Sequence, residues 1–571
     1  MGFKINLFGI HFLITALIVI ILCGNIAFAY PSNSMIRVCI MDSKYTTVEK
    51  TDVTIYGTDE IIIHDTKDKN EYFRIPKSQY LNISKENGIY KLSYINSETE
   101  EPEIIELKKD FSVTCPNGVL GIKNLIRGGK PALYRGEFRF ITSDHKKNIF
   151  YLVNVLDVEY YLKGVVPSEM PVHFGQEALK AQAVAARVYS LTPRTRMTRA
   201  FDVVDSVASQ VYNGYNRESD IANKAIDETH GIVALYNDEM IIAVFSSTAG
   251  GYTECYSETF SDPVTGQFPS PDKPYLTAKP DLPEFQNLDN EEEAFKFYSS
   301  RPVSYDMYSP LYRWTKTWTK QELQNILKNN LVVQSKTGFV IPKLLKPDDF
   351  GELKDIRVVQ RGLSGKIVFM EIETDKMIYT VGKELVIRRL FTKDGKALPS
   401  ANAVFKPAYK NCNSNNSENI SDTTEKEQEW DEITAYGGGF GHGCGLSQYG
   451  AMYMAKNCRL TFDTILKHYY NGITLGTKPV ELHKSPVTQC FYAPLKKTVL
   501  VIPNIHGLHS LEIKINDEIT NIDLKHQKGR IEYDISEYIK PKSLNVVTIT
   551  PDDENHRQDR IKPVKMYIKF E

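Results

Sequence analysis

The chain has 571 residues, too many for one ordinary hydrophobic core and enough for two to four domains. Hydrophobic residues make up 42% and charged residues 25%, the balance of a folded globular protein and not of a disordered or fibrous one. The formal net charge is -2, so no strong positive field draws the chain to nucleic acid.

Residues 1–29 read as a signal peptide or a membrane anchor. Lys4 supplies the positive charge, residues 5–23 are mostly apolar, and Ala27-Phe28-Ala29 fits a small-x-small cleavage site. The apolar run approaches the roughly 20 residues that span a bilayer. Either way the remainder is expected outside the cytoplasm. Seven cysteines follow that segment, scattered and without a C-x-x-C pair, so zinc-ribbon spacing is absent and small buried hydrophobes are the plain reading.

Residues 30–130 are expected to be β-rich, with short apolar runs separated by Gly, Thr and Asp turns. Two further strands, 138–141 and 150–155, lead to the motif Val166-Pro167-Ser168-Glu169-Met170-Pro171. Asp157 is expected to cap a short helix ended by Gly164, which leaves Glu169 on a proline-bracketed turn. A carboxylate held that way can be aimed at a ligand, as proton transfer requires. The alternatives are that Glu169 caps the next turn or pairs with Lys163 or His173.

The next helix, 177–191, carries alanine at 178, 181, 183, 185 and 186. So many small residues admit close neighbours, which predicts a central, buried helix. Gln182 and Arg187 on it must then find partners, structural or in a site. Gln210-Val211-Tyr212-Asn213-Gly214-Tyr215 precedes a helix at 219–229. A hairpin around Asn237-Asp238 delivers Ser246-Ser247-Thr248-Ala249-Gly250-Gly251 to one edge. A helix at 319–329, strands across 356–381 and a disordered insert at 411–431 are expected next.

Residues 437–445 hold six glycines in nine positions, with His442 among them. No Lys-Ser/Thr follows, so this is not a phosphate loop. A helix begins at Leu446 and another runs 462–470. The run reads either as a tight structural turn or as a place where a ligand nears the backbone. Residues 485–571 alternate apolar and polar side chains and are expected to form a separate β-sandwich.

These motifs, in this order, resemble the stage II sporulation protein D and amidase-enhancer family of bacterial cell-wall proteins. The matching stretches are 166–171, 177–187, 210–215, Phe245-Ser246-Ser247 with Gly250-Gly251 and Thr253-Glu254, Pro274-Tyr275-Leu276, Gly441-His442-Gly443 with 446–451, and His468-Tyr469-Tyr470. The likeness covers about 130 to 475. It implies a catalytic domain over 131–478 and an α+β architecture with a two-lobed cleft.

It also implies a lytic transglycosylase acting on peptidoglycan glycan strands, with Glu169 as the catalytic residue. His442, Gln448, Tyr212, Ser247 and Arg187 are the expected substrate contacts. No cofactor is implied. Some members hold zinc just before the Gln-Val-Tyr stretch. Here residues 203–209 offer neither thiolate nor imidazole, so no metal is expected. Ala249 replaces the family's usual serine before Gly-Gly. The competing reading is a non-enzymatic enhancer of a cell-wall N-acetylmuramoyl-L-alanine amidase.

Overall fold

The computed structural model describes residues 34–96, 99–192, 198–281, 286–409, 429–483, 485–505, 508, 510–525, 527–551 and 563–571. The expected signal or anchor lies outside these residues, as does all of the expected insert but 429–431. The architecture is α+β and strand-rich, 39% strand against 21% helix. No helix among the described residues is long and apolar enough to cross a membrane.

The N-terminal strands form two sheets, antiparallel except where Val203–Val204 pairs in parallel with Met35–Cys39. One runs in the order Val203–Val204, Met35–Cys39, Phe150–Asp157, Glu137–Thr142, Phe111–Thr114, Ile61–Asp65, Glu71–Ile75, with Glu49–Lys50 also pairing onto Phe150–Asp157. The other runs Lys130–Tyr134, Leu120–Arg127, Asp52–Gly57, Tyr80–Glu86, Ile89–Ile95, Pro102–Leu107. Ile63, Leu81, Phe111, Phe140 and Phe150 fill one core between them. Strand Phe150–Asp157 therefore belongs to this N-terminal body and also delivers the chain into the first helix.

Helix α1 spans Val158–Glu169, with Asp157 accepting the Glu159 N–H as its cap. The expected stop at Gly164 is corrected: the helix runs through Gly164 and Pro167, and Glu169 is its last residue. The glycine serves a different need. A Cβ on Gly164 would lie 2.5 Å from the Tyr212 ring, so the residue is small to admit that ring. Pro167 forfeits one backbone bond, and the Ser168 hydroxyl donates to the Gly164 carbonyl at 2.6 Å. Pro171 is what ends the helix, because it forces Met170 to extended angles (φ -126, ψ 129).

Helix α2 spans Gln176–Leu191 and is the buried centre of the molecule. Its five alanines at 178, 181, 183, 185 and 186 are fully buried. Around it pack α1, α3 (Asp220–Asp227), strand Ile232–Tyr236 and two late helices, Gln448–Lys456 and Phe462–Tyr469. Asn237 and Asp238 both take positive φ, 49° and 63°, as the expected hairpin requires.

Residues 314–435 build a second core around Trp318, Leu327, Phe350, Ile372 and Phe391. It joins sheet Val340–Ile341, Ile378–Gly382, Ile367–Thr374, Leu353–Arg361 to sheet Trp314–Thr319, Trp430–Gly437, Ala403–Tyr409 and to helix Lys320–Gln334. Thr319, expected as the first residue of that helix, is its cap and accepts the Glu322 N–H at 3.1 Å.

The C-terminal strands do not close on themselves as a separate unit. Strand Thr474–Thr477 pairs with Val564–Phe570 on one side and with Ile232–Tyr236 on the other. A single sheet thus runs from the central domain through Thr498–Ile505 to Gly529–Asp534. A further sheet, Val487–Tyr492, Leu544–Pro551, Ser510–Ile515, Glu518–Asp523, shares the large core. The alternating pattern set the strands but not their partners, because a strand edge accepts any neighbour with matching length and burial. The described cysteines are all free thiols, and Cys39, Cys115, Cys444 and Cys490 are buried.

Candidate active site

Glu169 is half-buried at the C-terminal end of α1. Its carboxylate accepts one hydrogen bond, from the Val211 N–H at 2.5 Å. Burial pushes its pKa up to about 7, and the Val211 bond pulls weakly the other way. The negative end of the helix dipole points the same way as burial, favouring the protonated form. Lys163 does not neutralise it, because that ammonium reaches Asp227 at 3.1 Å. His173 packs its ring edge-on to Phe174. Glu169 is thus a carboxyl group with no ion pair among the described residues, and its pKa of about 7 leaves it partly protonated near neutral pH.

Hydrogen bonds connect this group to one other motif. Gln210, next to Val211, accepts from the Tyr161 hydroxyl at 3.2 Å and donates to the Ala186 carbonyl at 3.4 Å. One turn back on α2, Gln182 accepts from Gln448 at 3.2 Å. Gln448 opens helix α8, which spans Gln448–Lys456 and is capped by Ser447; between α3 and it lie Tyr256–Thr259 (α4), Glu291–Ser299 (α5), Lys320–Gln334 (α6) and Glu384–Leu390 (α7). Gln210 and Gln448, far apart in sequence, therefore hydrogen-bond to α2 one turn apart. The Gln182 amide nitrogen is buried without an acceptor.

The serine turn and the glycine-rich run meet directly. Phe245–Ser246 pairs in parallel with Leu446–Ser447, and Thr248 bridges Phe440. The Ser247 carbonyl accepts the Tyr449 N–H at 3.0 Å, while the Ser247 residue keeps partial exposure. At Gly250 (φ 79°) a Cβ would lie 2.6 Å from Gly438 and Gly439 backbone, so the two loops touch main chain to main chain. Buried Asp306 clasps the turn, accepting from Thr248 Oγ1 at 2.6 Å and the Gly250 N–H at 2.7 Å.

His442 takes its place from another set of contacts. Its Nδ1 accepts the Cys444 N–H at 3.1 Å, its ring packs edge-on to Phe260, and its carbonyl accepts from Lys366 at 2.5 Å. Beneath it lies Glu254, fully buried, receiving hydrogen bonds from Ser364 and Asn402. Burial pushes Glu254 to about 7, against the pull of Lys366. Glu254 ends the Gly-Gly-x-Thr-Glu stretch, and nothing in that spacing marks it as buried.

Two expected contacts are occupied by structure. Tyr212 is 1% exposed, and its hydroxyl donates to Asn154 Oδ1 at 2.9 Å. Arg187 is 1% exposed and forks onto Glu159 at 2.7 and 2.6 Å, with a third bond to the Ile232 carbonyl at 3.1 Å. Burial pushes Glu159 up, but Arg187, His230 and the Gly231 N–H outweigh it and hold the carboxyl below its ordinary range. Neither side chain is placed to meet a solvent-borne ligand. Glu159, Asp306 and Asp281, the last bonded to His468 at 2.6 Å and Tyr469 at 3.0 Å, were not legible as partners. No sequence interval links any of them to the residue it serves.

Residues 146–236 match the family described as Stage II sporulation protein. Residues 262–445 match a domain of unknown function (DUF8618), a span that encloses the second hydrophobic core. The Amidase enhancer of Bacillus subtilis (strain 168) is 33% identical over 320 residues, 55% of this chain and 40% of that protein. The Stage II sporulation protein D of the same organism is 28% identical over 58% of this chain and 78% of its own length. The homonymous protein of Bacillus amyloliquefaciens is 27% identical over 61% of this chain and 82% of its own. The chain thus spans less than half of the amidase enhancer and most of the two sporulation proteins.

Proposed function

Because the chain belongs to the stage II sporulation protein D and amidase-enhancer family, with its cell-wall-related role, we propose that it is a lytic transglycosylase of peptidoglycan glycan strands. The observation that carries this reading is Glu169: a half-buried carboxyl raised to about 7, with one backbone donor and no paired cation. A general acid for a sugar needs a proton to give near neutral pH.

In the proposed reaction protonated Glu169 donates to the oxygen linking N-acetylmuramic acid to N-acetylglucosamine. The C1–O bond breaks and the leaving sugar departs as an alcohol. The muramyl 6-hydroxyl closes onto C1, and the Glu169 carboxylate takes its proton. One 1,6-anhydro end forms, no water is consumed, and Glu169 returns to its protonated form. A single carboxyl suffices because the second nucleophile belongs to the substrate, unlike hydrolysis with its two carboxylates.

Under this reading the strand lies in a cleft between two lobes, lined by Glu169 and Gln448. Ser247 and His442 are the proposed contacts from the loops beyond. Export through the N-terminal segment places the protein at the cell wall, cleaved free or membrane-anchored, in sporulation or in growth.

The test is digestion of purified peptidoglycan, with and without its stem peptides, followed by mass spectrometry. Wild type is expected to release 1,6-anhydro muropeptides, and Glu169→Ala at least ~100-fold fewer. Equal yields from both would remove Glu169 from the acid role. A second reading is favoured by the name of the 33%-identical relative: a glycan-binding enhancer of a cell-wall amidase. It predicts no anhydro product from either form, and faster release of stem peptides when the chain is added to an amidase.

A further inference from the structure

A pocket of about 490 Å³ opens where the C-terminal strands meet the central helices. One wall is the N-terminal half of α2 and the end of α3; the other is the N-terminus of α9 (Phe462–Tyr469) with the loops at 492–496 and 542. Tyr492 donates its N–H to the His230 carbonyl at 2.9 Å, and Lys542 donates its N–H to the Ala493 carbonyl at 2.8 Å, which fixes both loops against the central domain. The residues from 485 onward lie outside both family matches.

The charges divide between the two walls. On the α2 side, Lys180 bridges Glu177 at 2.9 Å and Glu228 at 2.8 Å, so two carboxylates and one ammonium leave a formal charge of -1. Lys224 reaches Glu228 only at 3.8 Å and does not line the pocket. On the other side, Asp463 pairs with Lys496, and Lys542 adds a second ammonium, leaving +1. Lys542 is exposed and has no ion-pair partner among the described residues. Between the walls the floor is apolar: Ile232, Leu475 and Phe570, with Leu495, 65% exposed, at the lip.

Such a surface is complementary to a ligand that carries opposite charges at its ends and small apolar groups between. A neutral glycan would leave the surplus charges unanswered, and a simple anion would meet the carboxylate wall. From this geometry we infer that the pocket binds a short peptide, its ammonium against Glu177 and Glu228 and its terminal carboxylate against Lys542. The volume lies within the range of small-ligand sites and holds three to four small residues at roughly 130 Å³ each. That is the chemistry of a free peptide of small apolar residues; a stem peptide still attached to wall glycan has its N-terminus tied up as an amide. The charge pattern stands without the cell-wall reading above.

The experiment is calorimetric titration of the full chain with synthetic tetra-alanine, its C-terminal amide, its N-acetylated form, and chitotetraose. The free peptide is expected to bind with a Kd of roughly 0.1–1 mM, and each blocked form about tenfold more weakly. Lys542→Gln should weaken the free acid and leave the amide unchanged. Glu228→Gln should weaken the free amine and leave the acetylated form unchanged. Both positions are solvent-accessible, so these variants keep the fold. Equal affinity for free and blocked peptides, no binding up to about 10 mM, or loss of chitotetraose binding in Lys542→Gln, would each overturn the inference. Glu169→Gln is expected to bind the peptide as wild type does. Wild type that binds the peptide but yields no anhydro product counts against the catalytic reading alone; anhydro product without peptide binding counts against the pocket alone.

Discussion

Glu169 owes its pKa of about 7 to what surrounds it and not to its residue type. The same burial makes it a stability cost. Its folded pKa lies above the ordinary 4.5, so the folded state binds the proton more tightly than the unfolded chain. The site is therefore most favourable below pH ~4.5, and stability falls as pH rises from there through about 7. Glu169→Gln is expected to raise stability at pH 8 by about 1–3 kcal/mol, with the gain gone at pH 4, read by urea denaturation at the two pH values. The same titration shapes activity: glycan cleavage should decline above pH ~7 as the acid form empties, and the decline should move if the Val211 bond is disturbed. Arg187 sits at the opposite extreme, a buried cation fully used by Glu159. Arg187→Ala leaves that carboxylate buried and alone, and should cost about 3–5 kcal/mol, whereas pairing it with Glu159→Gln should recover part of the loss. Denaturant midpoints of the single and double variants check this.

Among the elements, α1 decides where Glu169 points. The helix passes Gly164 because Tyr212 needs that space, and it stops when Pro171 forces Met170 out of helical angles. Gly164→Ala would set a methyl against the fully buried Tyr212 ring and should cost about 1–3 kcal/mol, an overpacking effect visible as a lowered denaturation midpoint. Because α1 also carries Glu169 at its end, the same variant is expected to lower glycan cleavage at temperatures where the protein stays folded. Helix α2 was legible in outline, since its alanine run announces a buried helix and its ends agree with the sequence reading to within one residue. Its neighbours were not. Helices α8 and α9 lie more than 250 residues later, and small side chains accept any surface that comes close.

At the scale of the whole molecule, the central domain and the C-terminal strands are one packed body. Ile232–Tyr236 and Thr474–Thr477 are inner strands of a sheet that continues through Val564–Phe570. A chain cut after residue 483 would leave Thr474–Thr477 as an open edge and expose the apolar faces packed against Phe491, Val501 and Ile568. Such a fragment is expected to aggregate on expression, while removal of residues 410–428 should leave solubility unchanged; sedimentation of the two truncated proteins distinguishes them. What the residues determined alone was local. Asp157 as a cap, the Asn237-Asp238 turn, the alanine helix and the alternating strands follow from side-chain geometry within a few positions. Glu169 stood out because two prolines bracket it. Tertiary structure decided the rest. It placed Arg187 and Tyr212 in the interior, joined the serine turn to the glycine loop, and merged the last strands with the central sheet. It also buried the Glu169 carboxyl without an ion pair among the described residues. The reason is range: turns and caps are settled by neighbouring atoms along the chain, whereas burial, ion pairing and strand partnership depend on segments that meet only after the chain has closed on itself.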